Sequence, residues 1–248
     1  MDELVGADVV SEDGRTFAEA GAERASASRA VRVPDYLRDT YSWAYLNPRT
    51  IGWLDTRVVV EGILWGNFTR LVDAALDEFE PGMAVLQPAC VYGDLSPRLA
   101  DHLGPNGRLL VSDVAPLQLA NTAPKLEGRA NATTRLLDAA DHPPGDFDAV
   151  CCFFLLHEIP EGHRRRVVTS LLNSVRPGGK VVFVDYHAPS AWHPMRPLMS
   201  LVFDMLEPFA KDLWRQDIRA FGEPTGRFRW SKRTYFGGLY QKVVAVAA

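Results

Sequence analysis

VLQPACVYGDLS, residues 85–96, is a short apolar run that passes through a loop into the start of a helix over 94–103. The next apolar run, RLLVSD (108–113), ends on Asp113, 20 residues after Gly93. The same alternation continues outward. A helix is expected over about 116–126, a strand near 132–137, and a buried strand over FDAVCCFFLL (147–156). A helix over 161–175 stops at Arg176-Pro177-Gly178-Gly179, and KVVFVDYH (180–187) supplies a fifth strand. Strands alternating with helices of this length predict an α/β fold, a mostly parallel sheet covered by helices on both faces. From Phe228 on, FRWSKRTYFGGLYQKVVAVA reads as two strands about Gly237–Gly238, a closing antiparallel hairpin that brings the sheet to seven strands.

Upstream, residues 57–80 read as one helix. Val60, Leu64, Phe68, Leu71, Ala75 and Phe79 recur at spacings of three and four, and Pro81-Gly82 ends the run. Residues 34–56 carry Tyr36, Tyr41, Trp43, Tyr45 and Trp53, an aromatic cluster that suits either core packing or a roof over a site. The organisation expected is a flexible polar tail over 1–30, an aromatic helical lid over 31–80 and the sheet domain over 81–248. Residues 194–221 read as helix broken at Pro197 and Pro208. Their stripe of Leu198, Val202, Leu206, Phe209 and Leu213 suits core packing, a lid or a membrane-facing surface.

The chain has 248 residues, 47% hydrophobic and 23% charged, with a net charge of −4. That composition excludes a wholly disordered, collagen-like or coiled-coil chain, and the charge argues against nucleic acid as a partner. Cys90, Cys151 and Cys152 form neither a disulfide framework nor a zinc motif, which fits a reducing cytoplasm. The N-terminal stretch lacks the apolar segment of a secretory signal, and no run reaches the roughly 18 apolar residues of a spanning helix. A cytoplasmic protein is expected, at most peripheral on the inner membrane. The run Arg164–Arg166 suits a solvated helix face or contact with anionic lipid.

In a sheet of this kind a ligand sits beyond the carboxyl ends of the central strands. Asp113, at the end of the second strand, has the spacing of an acid that accepts from ribose hydroxyls. Asp138, after the third strand, is placed to reach an adenine amine. A nicotinamide cofactor fits poorly, because only Gly93 of a GxGxxG pattern is present.

This order of motifs over about residues 80–187 resembles the class I S-adenosylmethionine-dependent methyltransferases, a Rossmann-like fold. It looks most like the ubiquinone/menaquinone branch, whose first motif reads near VLDVACGTGDLA. Gln87 stands at the place of the motif acid, and Val91 followed by Tyr92 at the place of the first loop glycine. With VYGDLS, SDVAPLQL, FLLHEIPEGHRRR and VDYHAPSAWHPMRP, these departures resemble the rhodoquinone biosynthesis methyltransferase-like family. That family replaces a methoxy group of ubiquinone by an amino group, taking nitrogen from S-adenosylmethionine with Mn²⁺ as helper.

The resemblance implies that Gln87, Val91, Tyr92, Gly93, Asp113, Val114, Asp138 and Ala139 hold S-adenosylmethionine. A carboxylate at position 87 would favour the α-ammonium, whereas Gln87 supplies no charge and leaves a nucleophilic amine. Val91 cannot take a glycine-like turn at low cost, so the methionine tail is expected to be displaced. A divalent metal would polarise a quinone carbonyl. Glu158, Asp185 and His187, at the ends of the fourth and fifth strands, are expected as its ligands, with His157 as ligand or base and His193 a further candidate. Asp185 and His187, two apart, should share one strand face. Tyr92 suits a hydrogen bond to a quinone oxygen, a proton shuttle, or simple stacking. Two alternatives stand beside amino transfer to ubiquinone: a conventional quinone methyltransferase, and a non-catalytic scaffold of quinone synthesis.

Overall fold

A computed structural model describes residues 33–45, 47–222 and 226–248. The tail expected over 1–30 lies outside them. Four helices come first: α1 (Asp35–Tyr45), α2 (Pro48–Leu54), α3 (Arg57–Ile63) and α4 (Phe68–Leu76). The sheet domain follows as β1 (Ala84–Gln87), α5 (Leu95–Leu103), β2 (Arg108–Asp113), α6 (Pro116–Thr122), β3 (Ala132–Leu136), β4 (Phe147–Phe153), α7 (Glu161–Ser174) and β5 (Val175–Tyr186). Two more helices, α8 (Arg196–Leu206) and α9 (Asp212–Arg215), precede β6 (Phe228–Tyr235) and β7 (Tyr240–Ala247).

Seven strands form one sheet in the order β3-β2-β1-β4-β5-β7-β6. The first five are parallel, and β7 runs antiparallel between β5 and β6. Side chains alternate across the sheet. Val85, Cys151 and Val182 join the core under α4 and α5, while Leu86, Val150 and Val181 join the core under α7. Strands buried on both faces explain the near-continuous apolar runs.

The apolar face expected over 57–80 is buried at all six positions, each large side chain contributing roughly 1.5–3 kcal/mol. It belongs to two helices, however. Trp65 (φ 53°) and Gly66 (φ 72°) turn the chain between α3 and α4. Asn67 Nδ2 holds the turn by donating to the Leu64 and Trp65 carbonyls at 3.1 and 3.0 Å. The Glu61 carboxylate then accepts from the backbone N–H groups of Phe68 and Thr69, donors that open α4 without intrahelical partners.

Other elements also depart from expectation. β4 ends at Phe153, because Phe154 takes a left-handed conformation (φ 50°) and starts a 3₁₀ turn over Leu156–Glu158. Pro197 sits in the first turn of α8 and opens that helix, where a missing N–H costs nothing. Leu198 and Leu206 of the expected stripe are exposed, and α8 buries Met199 and Phe203 instead. Arg164 is fully buried. Its guanidinium donates to the carbonyls of Leu156, Ile159 and Phe209 and pairs with Asp212, tying α7 to the segment before α9.

Candidate active site

The chain reverses its direction of strand addition between β1 and β4, and a chamber opens at the carboxyl ends of these strands, as the switch-point rule requires. Val91, Tyr92, Asp113, Val114, Asp138 and Ala139 all line it. Asp113 is buried and accepts from the backbone N–H groups of Cys90 and Ala115, each at 2.8 Å, so β2 is locked to the loop after β1. Burial pushes its carboxyl up to about 6, against the downward pull of those N–H bonds. Asp138 caps its own turn by accepting from the Ala140 N–H and lies 3.2 Å from His163 Nε2. Burial alone would raise Asp138, but these partners hold it below the usual carboxylate range. The Tyr92 hydroxyl accepts from Gln118 Nε2 at 3.0 Å, and burial keeps the phenol protonated far above neutrality.

Gln87 and Gly93 do not line the chamber. Gln87 is fully buried beneath the loop, and its Nε2 donates to the Ala89 carbonyl at 2.8 Å. Its Oε1 has no hydrogen-bond partner. Gly93 adopts φ 86°, and a Cβ there would stand 2.7 Å from the Phe68 ring. Its N–H donates to Asp55 Oδ1 at 2.7 Å. Both residues therefore shape the loop from behind. Val91, which does line the chamber, has no positive φ.

The chamber is also lined by acid–base groups, His157, Glu158 and Glu207. Asp185 Oδ1 lies 2.9 Å from His157 Nδ1 and also accepts from the Tyr186 N–H, while Oδ2 accepts from the Leu156 N–H. His157 Nε2 stands 3.6 Å from Glu158 Oε1. Burial opposes the imidazolium, but Asp185, Glu158 and Glu207 outweigh it and raise His157 to about 9. Tyr41 donates to Glu207 Oε2 at 2.8 Å. Burial raises Glu207, while His157 and Tyr41 pull it down. The rings of Phe154 and Tyr186 stand edge-on to His157 at 5.9 and 4.8 Å, an aromatic wall beside the base.

A family model described as a methyltransferase domain matches residues 85–179. A SAM-dependent methyltransferase from Aquifex aeolicus superposes with a TM-score of 0.53 at 17% identity, covering 82% of this chain and 99% of that one. The Burkholderia thailandensis 1,6-didemethyltoxoflavin-N1-methyltransferase, solved with bound 1,6-didemethyltoxoflavin and S-adenosylhomocysteine, gives 0.54 at 14% identity over 100% and 93%. The fold is the Rossmann-like class I methyltransferase fold. In sequence, the ubiquinone/menaquinone biosynthesis C-methyltransferase UbiE of Ectopseudomonas mendocina is 27% identical over 146 residues, 57% of this chain and 53% of that protein. The chain spans about half the length of the curated relatives it matches first.

The chamber brings the Asp113 and Asp138 carboxylates together with the 88–92 loop. The expected metal set fits less well. Both Asp185 oxygens are committed to N–H groups of Leu156, His157 and Tyr186. His187 lies beyond the end of β5, and its Nδ1 is 2.8 Å from the Gly238 carbonyl in the β6–β7 turn. His193 Nδ1 accepts from the Met195 N–H. Among the described residues no three His, Cys, Asp or Glu side chains are grouped to hold a metal. Glu158, Asp185 and His187 thus do not form a common ligand set.

Of the aromatic cluster, Tyr36 and Tyr41 line the chamber, Trp53 is exposed, and the side chains of Trp43 and Tyr45 lie outside the described residues. Sequence reasoning missed Glu207 and Asp55. Glu207 lies in a segment read only for its apolar stripe. Asp55 sits at the end of the aromatic stretch, yet it binds the Gly93 N–H, Asn121 and Lys125 together.

Proposed function

We propose that this chain binds S-adenosylmethionine in the chamber and transfers a group from it to the ring of a quinone such as ubiquinone, with His157 as the base. The observation that carries this reading is the junction of two half-sites in one chamber. Asp113, Asp138 and the 88–92 loop line the same chamber as Phe154, Tyr186 and a carboxylate-oriented imidazole, His157. In this reading Asp113 takes the ribose hydroxyls, Asp138 the adenine amine, and Val114 and Ala139 flank the adenine. Tyr92 donates to a ring oxygen. In methyl transfer the ring carbon sheds its hydrogen as a proton, and in amino transfer the nitrogen does; His157, once neutral, accepts it.

The curated relatives are C-methyltransferases, and likeness to them supports methyl transfer from sulfur to a ring carbon. One specific observation favours nitrogen: the motif acid is the neutral Gln87, whose amide is tied down to Ala89. In that second reading the uncharged amine adds to the carbon bearing methoxy, the C–O bond breaks, and the proton leaving nitrogen passes through His157 to the methoxide, which departs as methanol. The α-carbon then loses its proton as its electron pair reduces the ring, and water hydrolyses the imine so formed, breaking the Cα–N bond to leave an amino hydroquinone and a 2-keto acid. No step of either reading is routed through a metal. The substrate also brings a membrane into the proposal, as a surface contact; no described helix is long and apolar enough to cross one.

Turnover of ubiquinone and, in parallel, of a reduced quinone precursor with one unsubstituted ring carbon, each with S-adenosylmethionine carrying ¹³C in the methyl group and ¹⁵N at the amine, tests both readings. Heavy carbon in the quinone supports methyl transfer and heavy nitrogen supports amino transfer. An unlabelled quinone, with both substrates shown to bind, overturns the proposal.

A further inference from the structure

Two helices, α3, which borders the chamber, and α8, present apolar side chains to water. On α8, Leu198, Leu201 and Met205 form one ridge at spacings of three and four, with Met205 72% exposed. On α3, Val58 is 83% exposed and Ile63 about half. The two helices are joined where the Trp65 indole N–H meets Met199 Sδ at 3.3 Å. Trp192, just before α8, is 95% exposed. Soluble chains rarely show large apolar side chains in such a group without a partner for them.

A second feature borders the same helix. Arg196, Lys211 and Arg215 line a recess floored by Trp214 and Pro197. Lys211 pairs with Asp204, and Arg215 reaches Asp212 at 3.7 Å, but Asp212 is shared with the buried Arg164. Three cations therefore line the recess beside two carboxylates, one of them shared with the buried Arg164, and among these described groups positive charge is in excess. Ile63 belongs both to the exposed face and to the chamber lining, so the surface is continuous with the site.

We propose that this face docks on an anionic phospholipid bilayer. Leu201, Met205 and Trp192 enter the boundary between headgroups and acyl chains, and the Arg196–Lys211–Arg215 recess takes a lipid phosphate. The chamber then opens toward the lipid at Ile63. The inference rests on surface chemistry alone and holds whichever group the site transfers.

Flotation of the full chain with phosphatidylcholine vesicles, with and without phosphatidylglycerol, tests it without quinone or S-adenosylmethionine present. Wild type should float with the anionic vesicles and lose binding about tenfold as salt is raised. Leu201→Asp with Met205→Asp, both exposed and checked for fold by circular dichroism, should lose more than tenfold on every vesicle. Lys211→Gln and Arg215→Gln should each lose about fivefold, on anionic vesicles only. Absence of flotation by wild type overturns the proposal, as does a Leu201→Asp/Met205→Asp protein that floats like wild type. A dimer in sedimentation velocity that the same pair dissolves, without vesicle binding, would assign the ridge to a second copy and also overturn it. None of these failures touches the proposed reaction.

Discussion

His157 Nδ1 lies 2.9 Å from Asp185 Oδ1, and both side chains are buried. Because Asp185 is also fixed by the N–H groups of Leu156 and Tyr186, it holds the ring in one orientation. With Nδ1–H donated to the carboxylate, Nε2 is the atom left to take a proton. If that atom is the base, His157→Gln should lower turnover by roughly 10²–10⁴. The affinity for S-adenosylmethionine, bound across the chamber, should change less than threefold. Steady-state kinetics beside calorimetric titration separates the two effects.

The same pair sets a pH dependence. His157 titrates near 9, so kcat/KM should rise with pH toward that value as the neutral ring accumulates. Asp185→Asn removes the main opposing charge and should move the rise to lower pH. Stability follows the opposite sign. The folded pKa lies above the ordinary 6.5, so this contribution is complete below pH 6.5 and is lost as pH climbs through about 9. Thermal unfolding from pH 6 to 10 should show the fall in wild type and flatten in His157→Gln.

Asp113 gives a second linkage. Burial raises its carboxyl to about 6, and ribose hydroxyls donating to it would favour the charged form. Binding of S-adenosylmethionine below about pH 6 should therefore release a proton and weaken as pH falls. Calorimetry in buffers of different ionisation enthalpy measures that proton, and Asp113→Asn should abolish it.

Much of this architecture was legible because its signals are local. The alternating runs of β1 to β5, the stop at Pro81-Gly82 and the acids closing β2 and β3 need only neighbours in sequence. The misses come from contacts distant in the chain. The even spacing over 57–80 concealed the left-handed turn at Trp65-Gly66, and the run FFLL concealed the turn at Phe154. Strand parity paired Asp185 with His187, but β5 ends at Tyr186 and the His187 ring is drawn to Gly238, 51 positions on. Arg164, in a run of three arginines, is buried because the Leu156, Ile159 and Phe209 carbonyls converge on it. Asp55 and Glu207 act wholly across such distances.

Asp55 joins the helical segment to the loop after β1. Removing its carboxylate leaves Lys125, Asn121 and the Gly93 N–H without their shared acceptor. Since the pair with Lys125 is partly exposed, Asp55→Ala should cost about 2 kcal/mol of stability, well below the full penalty of a buried ion pair. It should also raise the Kd for S-adenosylmethionine about tenfold through the loosened loop. Urea unfolding and calorimetry provide the two numbers.

The loop itself decides which atom of the donor is presented. Gln87→Asp with Val91→Gly restores a charge and a flexible turn behind the methionine tail. If the amine is the transferred group, this pair should cut nitrogen transfer at least tenfold while binding of S-adenosylmethionine is kept, as mass spectrometry of the quinone would record. Nitrogen transfer left intact would remove the loop from the explanation.

The most direct measurement compares label entering the quinone from doubly labelled S-adenosylmethionine in wild type and in His157→Gln, under conditions where both bind the donor. A heavy quinone from wild type, formed at least a hundredfold more slowly by the variant, is the expected result. Equal labelling by the two proteins, or a wild-type quinone of unchanged mass, would contradict a transfer site built around His157 and Asp185.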